Sequence, residues 1–373
     1  MEKEFWGAVW TLISVIVGAG ILGIPFVLYK SGFLTGLVVI ILIGLVMLLI
    51  NLYLGEIILR TKGRYHIGGL ANIYLGKYGQ YFVFAFYALT IYGALIAYVL
   101  GAGQALQAIF NYGDIFYYSL GFFAVFSVLI FFSLNIFESS ESILNPIKIG
   151  ILIILSVLMM PKINLSNLIN FDARNFLVPY GVIVFAFTGM AMIPEMAREL
   201  KNKINLKKSI ICAILITIFI YILFSFSIIG VMNDKVTEVA TISLNQLGFK
   251  FGLLGNLFAL FAMSTAFIGL GFSLKEAFVF DYKLKNWQGW LLVVVLPLIL
   301  LLSKFGNFIF FLEISGAVGI GILLASILIM HSRSKKLGNR KPEFELKDNS
   351  YLKTILFILI IVGIVYTLYG FIF

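Results

Sequence analysis

The chain alternates between long apolar runs and short polar or basic segments along its whole length. A helix needs about 20 mainly apolar residues to cross a bilayer, so each run predicts a membrane-spanning α-helix. The eleven predicted spans are 5–29, 33–59, 80–110, 116–136, 142–160, 176–197, 206–232, 249–280, 287–303, 309–331 and 351–372. This pattern predicts an all-α polytopic membrane protein embedded in a lipid bilayer.

Two of these spans carry the same interruption, Gly20-Ile-Leu-Gly-Ile-Pro25 in the first and Gly189-Met-Ala-Met-Ile-Pro194 in the sixth. Glycine weakens a helix and proline lacks the backbone N–H that a helix needs, so each motif predicts an unwound point. Lipid cannot satisfy freed backbone groups, and such a break persists only where it is buried in protein or lines a cavity. Paired breaks in the two halves of a chain indicate the binding site of a secondary transporter.

The two breaks belong to an internal repeat. Gly189 follows Gly20 by 169 positions, and adding that offset to spans one to five nearly reproduces spans six to ten. Because each unit has five spans, the second unit enters the membrane with opposite topology, which is an inverted repeat. We therefore divide the chain into a first repeat (1–160), a second repeat (161–331), and a cytoplasmic loop with the eleventh span (332–373).

Composition and charge exclude several classes of protein. Apolar residues make up 61% and charged residues 12% of the chain, against about a quarter charged in soluble domains. One cysteine and two histidines leave no cluster with metal-ligand spacing, which argues against a metalloenzyme. The few ionisable groups within the spans are scattered singly, so we expect neither an enzyme nor a resident cofactor. Of the 27 basic residues, 21 fall on the N-terminal side of the predicted topology. The net charge of +10 thus indicates a cytoplasmic N-terminus and an extracellular C-terminus in the plasma membrane, rather than a nucleic-acid partner.

The first break can recognise both charged groups of an amino acid. The half-helix that begins near Ile21 offers unpaired N–H groups to a carboxylate, and Gly18, Ala19 and Gly20 allow close approach. The preceding half-helix ends in free carbonyls around Ser14, Val15 and Val17, which suit an ammonium group. In the second break, the carbonyls of Phe185, Phe187, Thr188 and Gly189 would add to this ammonium site. Such glycines can instead pack helices together, but packing alone does not require the paired prolines.

The same residues resemble a known family. Ile16-Val-Gly-Ala-Gly-Ile-Leu-Gly-Ile-Pro25 is similar to the first-helix signature of amino acid/auxin permeases in the amino acid–polyamine–organocation superfamily. Phe185-Ala-Phe-Thr-Gly-Met-Ala-Met-Ile-Pro-Glu195 resembles the sixth helix of that family. Phe261-Ala-Met-Ser-Thr-Ala-Phe-Ile-Gly-Leu-Gly-Phe272 resembles the eighth helix of the aromatic amino acid permease branch. The resemblance implies a LeuT-type 5+5 inverted repeat with an eleventh helix, and amino-acid symport by alternating access.

The resemblance leaves the coupling ion open between H⁺ and Na⁺. Sodium-coupled relatives hold Na⁺ with carbonyls of the first break and hydroxyls of span eight, and the matching residues here are Ser14, Val17, Ser264 and Thr265. In proton-coupled relatives a lysine of the fifth helix fills that space, and Lys148 resembles it. A buried lysine can release a proton, which favours H⁺, although Lys148 could instead extend to the membrane interface.

Aromatic residues near the breaks indicate the substrate. Phe185, Phe187 and Phe267 would favour a large apolar or aromatic neutral L-amino acid. In some LeuT-type relatives a tyrosine of the third helix donates to the substrate carboxylate, and the resemblance implies this role for Tyr92, or alternatively Tyr98. Glu56 has the spacing of an ion pair with Arg60, and Glu313 lies near a span end. The alternatives are an amino-acid sensor on the same fold, a channel and an intramembrane enzyme, and we expect a monomer.

Overall fold

The computed structural model of the protein describes residues 2–63, 65–132 and 135–372, and the regular secondary structure of these residues is helical. The helices are α1 (Glu2–Ile16), α2 (Ile24–Ser31), α3 (Phe33–Arg60), α4 (Ile67–Phe110), α5 (Ile115–Phe132), α6 (Asn135–Met159), α7 (Tyr180–Ala186), α8 (Ile193–Glu199), α9 (Ile204–Met232), α10 (Phe249–Asp281), α11 (Asn286–Ser303), α12 (Phe308–Glu313), α13 (Gly321–Leu337) and α14 (Ser350–Ile372). A π-helical segment, Ile314–Ile320, joins α12 to α13.

The helices follow the predicted spans closely. Among the described residues, nine helical segments are long and apolar enough to cross a membrane, and α1 with α2 forms a further span bent by 49°. Helix α6 supplies the fifth predicted span. Each predicted span therefore coincides with one helix or with helices joined at a break, and most ends agree within a few residues.

The third span differs from its prediction at its start. Helix α4 begins at Ile67, whereas the apolar run begins at residue 80. Gly76 has a φ of 80° and a ψ of 178°, a conformation that favours glycine, so residues 67–75 form a separate short helix before the span. Hydropathy did not predict this short helix because its flanking polar residues interrupt the apolar pattern.

The broken helices lie inside the bundle. Helices α4 and α10 pack against each other and against α5 and α11, and α10 also packs against α6. Helix α9 packs against α1 and α3. Large apolar side chains stay exposed on α5, α11 and α14, as for Val125, Ile299 and Val365. We assign these surfaces to lipid contact, because apolar side chains facing acyl chains carry no cost. Gly20 and Gly189 at the two breaks are buried, whereas Ala191 in the second break is exposed.

Candidate functional site

The first break separates α1 from α2. Helix α1 ends at Ile16, Gly18 is extended with a φ of −108° and a ψ of −150°, and a 3₁₀ turn covers Ala19–Gly23. Pro25 lies in the first turn of α2, where its missing N–H has no helical partner to lose. The second half begins at Ala19, two residues before the predicted start, so the amides of Ala19 and Gly20 lie at its N-terminal end without an intrahelical acceptor.

The second break repeats this pattern. Helix α7 ends at Ala186, Gly189 caps a short 3₁₀ turn at Met190–Met192, and Pro194 lies in the first turn of α8. Helix end, glycine, 3₁₀ turn and proline thus occur in the same order at both sites. The predicted interruptions are real breaks of the backbone.

The two breaks pack directly against each other through their glycines. A Cβ added to Gly20 would lie 3.0 Å from the Ala186 Cα, and one added to Gly189 would lie 2.6 Å from the Ile16 Cγ1. At Gly18 such a Cβ would meet only the Val15 carbonyl oxygen, at 3.4 Å. The space beside Gly20 and Gly189 is therefore occupied by other residues of the protein. The space beside Gly18 is open and leaves room for a ligand.

Tyr221 of α9 contacts the C-terminal ends of both α1 and α7. Sequence reasoning did not identify this residue. Its hydroxyl oxygen lies 2.7 Å from the Ile16 carbonyl oxygen and 2.7 Å from the Ala186 carbonyl oxygen. The ring is fully buried and packs against Phe187, with ring centroids 4.9 Å apart. Nothing in the sequence around Tyr221 sets it apart from other tyrosines in apolar spans, so its contact with the two helix ends could not be predicted.

The three predicted aromatic residues occupy different places. Phe185 lies beside Gly20 and faces Tyr98, with ring centroids 6.3 Å apart. Phe187 is buried under Tyr221. Phe267 packs edge-on against Phe122 and Phe123 of α5, at centroid distances of 5.7 and 6.4 Å. Of the three, Phe185 has the position that a substrate side chain at the breaks would contact.

The structure distinguishes the two tyrosines of the third span. The Tyr92 hydroxyl donates to the Leu292 carbonyl of α11 at 2.9 Å, on a side of α4 that faces away from the breaks. Tyr98 is 4% exposed and its ring faces Phe185 of the second break. Tyr98 is thus the tyrosine of this span that lies beside the candidate site.

Lys148 and Thr265, two of the predicted ion-coupling residues, are in direct contact. The Lys148 ammonium donates to the Thr265 hydroxyl at 3.1 Å, and Lys148 is 4% exposed. Lys148 therefore points into the bundle rather than extending to the interface. The Thr265 hydroxyl in turn lies 3.0 Å from the Phe261 carbonyl oxygen.

The other three predicted ion-coupling residues have local contacts. The Ser14 hydroxyl donates to the Thr11 carbonyl at 3.0 Å, and the Val17 amide donates to the Ile13 carbonyl at 2.8 Å. Ser264 is half-buried beside Thr265. The predicted substrate contacts Val15 and Thr188 are half-buried as well, and the Thr188 hydroxyl donates to the Val184 carbonyl.

A second polar centre surrounds Glu56, which is fully buried. The expected pair with Arg60 is present at 2.8 Å, and Lys335 and His331 approach the same carboxylate at 3.1 and 3.0 Å. The Leu346 amide also donates to it at 2.8 Å, so this carboxylate ties α3 and α13 to the segment 338–349. We call these residues the Glu56 cluster.

At one side of the Glu56 cluster, Arg60 and Lys335 also pair with a solvent-exposed carboxylate. Glu345 of the segment 338–349 lies 2.5 Å from Arg60 and 3.0 Å from Lys335, and its side chain is 62% exposed. The hydrogen bond and charge of Lys335 lower the pKa of Glu345, and the hydrogen bond from Lys353 lowers the pKa of Asp348. Both carboxylates are therefore ionised at neutral pH.

The sequence matches a known family over almost its whole length. The tryptophan/tyrosine permease family matches residues 1–368. The chain is 25% identical over 290 residues to Glutamine transporter 2 of Aliivibrio fischeri, and 74% of each chain is covered. It is 26% identical over 290 residues to Tyrosine-specific transport system 1 of Haemophilus influenzae, with 72% of each chain covered.

A solved structure establishes the fold. The crystal structure of MhsT in complex with L-phenylalanine superposes with a TM-score of 0.65 at 12% identity, covering 96% of this chain and 98% of MhsT. The architecture is therefore the LeuT-type fold, as the sequence predicted. The family and these relatives are transporters rather than enzymes, so the expectation of a non-enzyme is confirmed. The chain belongs to the tryptophan/tyrosine permease family.

Proposed function

We propose that the protein is a secondary active transporter that imports neutral L-amino acids by ion-coupled symport and alternating access. The substrate carboxylate binds the amides of Ala19 and Gly20 beside the open side of Gly18. Carbonyl oxygens of the two breaks accept from the substrate ammonium group. The protein acts as a monomer in the plasma membrane.

The substrate side chain is large and apolar or aromatic. Phe185 lies next to Gly20 of the first break, and its ring contacts the ring of Tyr98. A substrate side chain bound beside the first break would therefore lie close to both rings. Aromatic rings pair favourably with one another at such centroid distances. The similarity to a tyrosine-specific transport system supports an aromatic substrate. Because another relative is a glutamine transporter, glutamine is the substrate to compare with the aromatic amino acids.

The coupling ion is H⁺, and the contact between Lys148 and Thr265 is the observation that carries this proposal. Burial disfavours a charged lysine, so a change in its surroundings during the transport cycle would release its proton. The Lys148 ammonium also lies beside Thr265, one of the residues that would otherwise hold Na⁺. While Lys148 is protonated, its positive charge at that point disfavours a metal cation.

Uptake into proteoliposomes under imposed gradients tests the proposal. Labelled L-tyrosine, L-tryptophan, L-phenylalanine and L-glutamine are supplied with either a pH gradient, acid outside, or a Na⁺ gradient at constant pH. We expect the pH gradient to drive accumulation of the aromatic amino acids and the Na⁺ gradient to have no effect. Accumulation driven by Na⁺ alone, or uptake that ignores both gradients, would contradict the proposal.

Two buried lysines provide a matched comparison. Lys148→Met should retain exchange of labelled for unlabelled substrate but lose accumulation driven by the pH gradient. Lys275 is 2% exposed, and its ammonium donates to the Ile130 carbonyl at the end of α5, at 2.9 Å. Lys275→Met should therefore lower stability and keep coupling. Coupling that survives Lys148→Met would show that Lys148 does not carry the proton.

A further inference from the structure

Tyr221, Ile16 and Ala186 form a junction between the two broken spans. Ile16 is the last residue of α1 and Ala186 is the last residue of α7, so neither carbonyl has a donor within its own helix. Beyond the end of α1, the Gly18 amide donates to the Ile16 carbonyl at 2.8 Å. Both carbonyl oxygens lie 2.7 Å from the Tyr221 hydroxyl oxygen. We call these three residues the Tyr221 junction.

The Tyr221 junction has two acceptors and one hydrogen. A phenol donates a single O–H, and a carbonyl only accepts, so the hydroxyl cannot make two full hydrogen bonds at once. Two helix C-termini also bring partial negative charge to the same point. Either bond can therefore be given up while the other keeps the buried hydroxyl satisfied.

The surrounding packing holds α1 at this point. Leu12 and Ile16 of α1 press against Gly189, where an added Cβ would lie 2.7 Å from the Leu12 Cδ1. In the reciprocal contact, Gly20 of the first break presses against Ala186. The glycine of each break thus packs against the last turn of the helix that precedes the other break. The Tyr221 hydroxyl lies between the ends of these two helices.

We propose that Tyr221 is a positioning residue that locks α1 against α7 and releases α1 during the transport cycle. In the locked state the Ile16 and Ala186 carbonyls share the single hydrogen of the hydroxyl, which fixes the neighbouring backbone carbonyls assigned to the substrate ammonium. When α1 moves away, the hydroxyl donates to the Ala186 carbonyl alone, and no buried donor is left unpaired. The inference rests on the proposed alternating access.

Cysteine accessibility on α1 tests the lock without any gradient. Cys212 is the single cysteine of the chain, so Cys212→Ser gives a cysteine-free parent. In that parent, Ala8→Cys places a thiol at a fully buried position of α1, where it is labelled only when α1 separates from its neighbours. Ala105→Cys, on a buried face of α4, reports general loosening of the bundle.

We expect Tyr221→Phe to raise the labelling rate of Ala8→Cys in substrate-free protein about three- to tenfold, the effect of losing one net hydrogen bond. Labelling of Ala105→Cys should stay unchanged. Two controls remove a hydroxyl elsewhere. Thr217→Val removes one that bonds within α9, and Tyr87→Phe removes one that contacts Ser273. Neither control should change the rate at Ala8→Cys.

Gly189→Ala provides a second route to the same result if Tyr221→Phe does not fold. Its added methyl group would push Ile16 away from the Tyr221 junction while Tyr221 stays in place, and it should raise Ala8→Cys labelling as well. Unchanged labelling in both variants, or an equal rise in Tyr87→Phe, would overturn the proposal. Labelling needs neither substrate nor an ion gradient, so its failure is distinguishable from a failure of ion coupling.

Discussion

At the scale of single residues, the sequence predicted where the backbone breaks but not what each glycine touches. Glycine and proline act on their own backbone, so the paired motifs were sufficient to locate both breaks. Whether a glycine faces protein or a ligand depends on a helix more than 160 residues away. Gly20 and Gly18 were therefore assigned one role, although the structure gives them different neighbours.

The two glycines predict different outcomes for the same substitution. Gly20→Ala puts a methyl group 3.0 Å from the Ala186 Cα, so it should lower both the melting temperature and the affinity for substrate. Gly18→Ala has room in the empty protein, so the melting temperature should stay near that of the wild type. Its methyl group would narrow the approach to the Ala19 and Gly20 amides, and we expect the Kd for amino acid to rise at least tenfold, about the effect of one charged hydrogen bond.

Thermal unfolding and equilibrium binding in detergent measure both quantities. Gly121→Ala is the baseline variant, because nothing lies within 4 Å of a Cβ added there. Substrate affinity of Gly18→Ala equal to that of Gly121→Ala would remove Gly18 from the carboxylate site.

At the scale of elements, the sequence predicted the contact between Glu56 and Arg60 because both lie on one helix. It did not predict His331, Lys335 or the Leu346 amide, since the residues that meet at Glu56 are more than 270 positions away in the chain. The same limit applies to Tyr221. Periodicity places a residue on a helix face, but the partner of that face follows from the packing of helices.

The Glu56 cluster predicts a large difference between two carboxylates that share partners. Glu56 is fully buried among Arg60, Lys335 and His331, so Glu56→Gln leaves buried positive charge without its counter-charge. This change should lower stability by about 3 kcal/mol. Glu345 contacts the same Arg60 and Lys335 but is 62% exposed, where water screens the interaction.

Glu345→Gln should therefore shift the melting temperature far less than Glu56→Gln. Thermal unfolding of the two purified variants at neutral pH provides the comparison. Equal shifts would mean that the exposed pairs, rather than the buried carboxylate, hold the segment 338–349 against α3 and α13.

At the scale of the whole molecule, hydropathy and the repeat predicted almost the entire fold. The offset of 169 matched five spans with five others and predicted an inverted repeat. The family resemblance implied the LeuT-type fold, which the superposition on MhsT confirms. The short helix before Gly76 was missed because hydropathy responds to lipid contact rather than to backbone hydrogen bonds. The boundaries of the two repeats and the orientation in the membrane stay predictions of the sequence.

The distribution of basic residues predicts that the N-terminal side faces the cytoplasm. In the cysteine-free parent, Tyr112→Cys between α4 and α5 should react with an impermeant maleimide added outside intact cells. Lys341→Cys, between α13 and α14, should react only after the cells are opened. The reverse pattern would show that the topology is inverted.

The central claim is that an amino acid binds where the two breaks meet. A structure of the protein with bound L-tyrosine tests this most directly. We expect the carboxylate at the amides of Ala19 and Gly20, the ammonium group at carbonyl oxygens of the breaks, and the ring beside Phe185 and Tyr98. An amino acid bound away from the breaks, or with its carboxylate and ammonium groups exchanged, would contradict it.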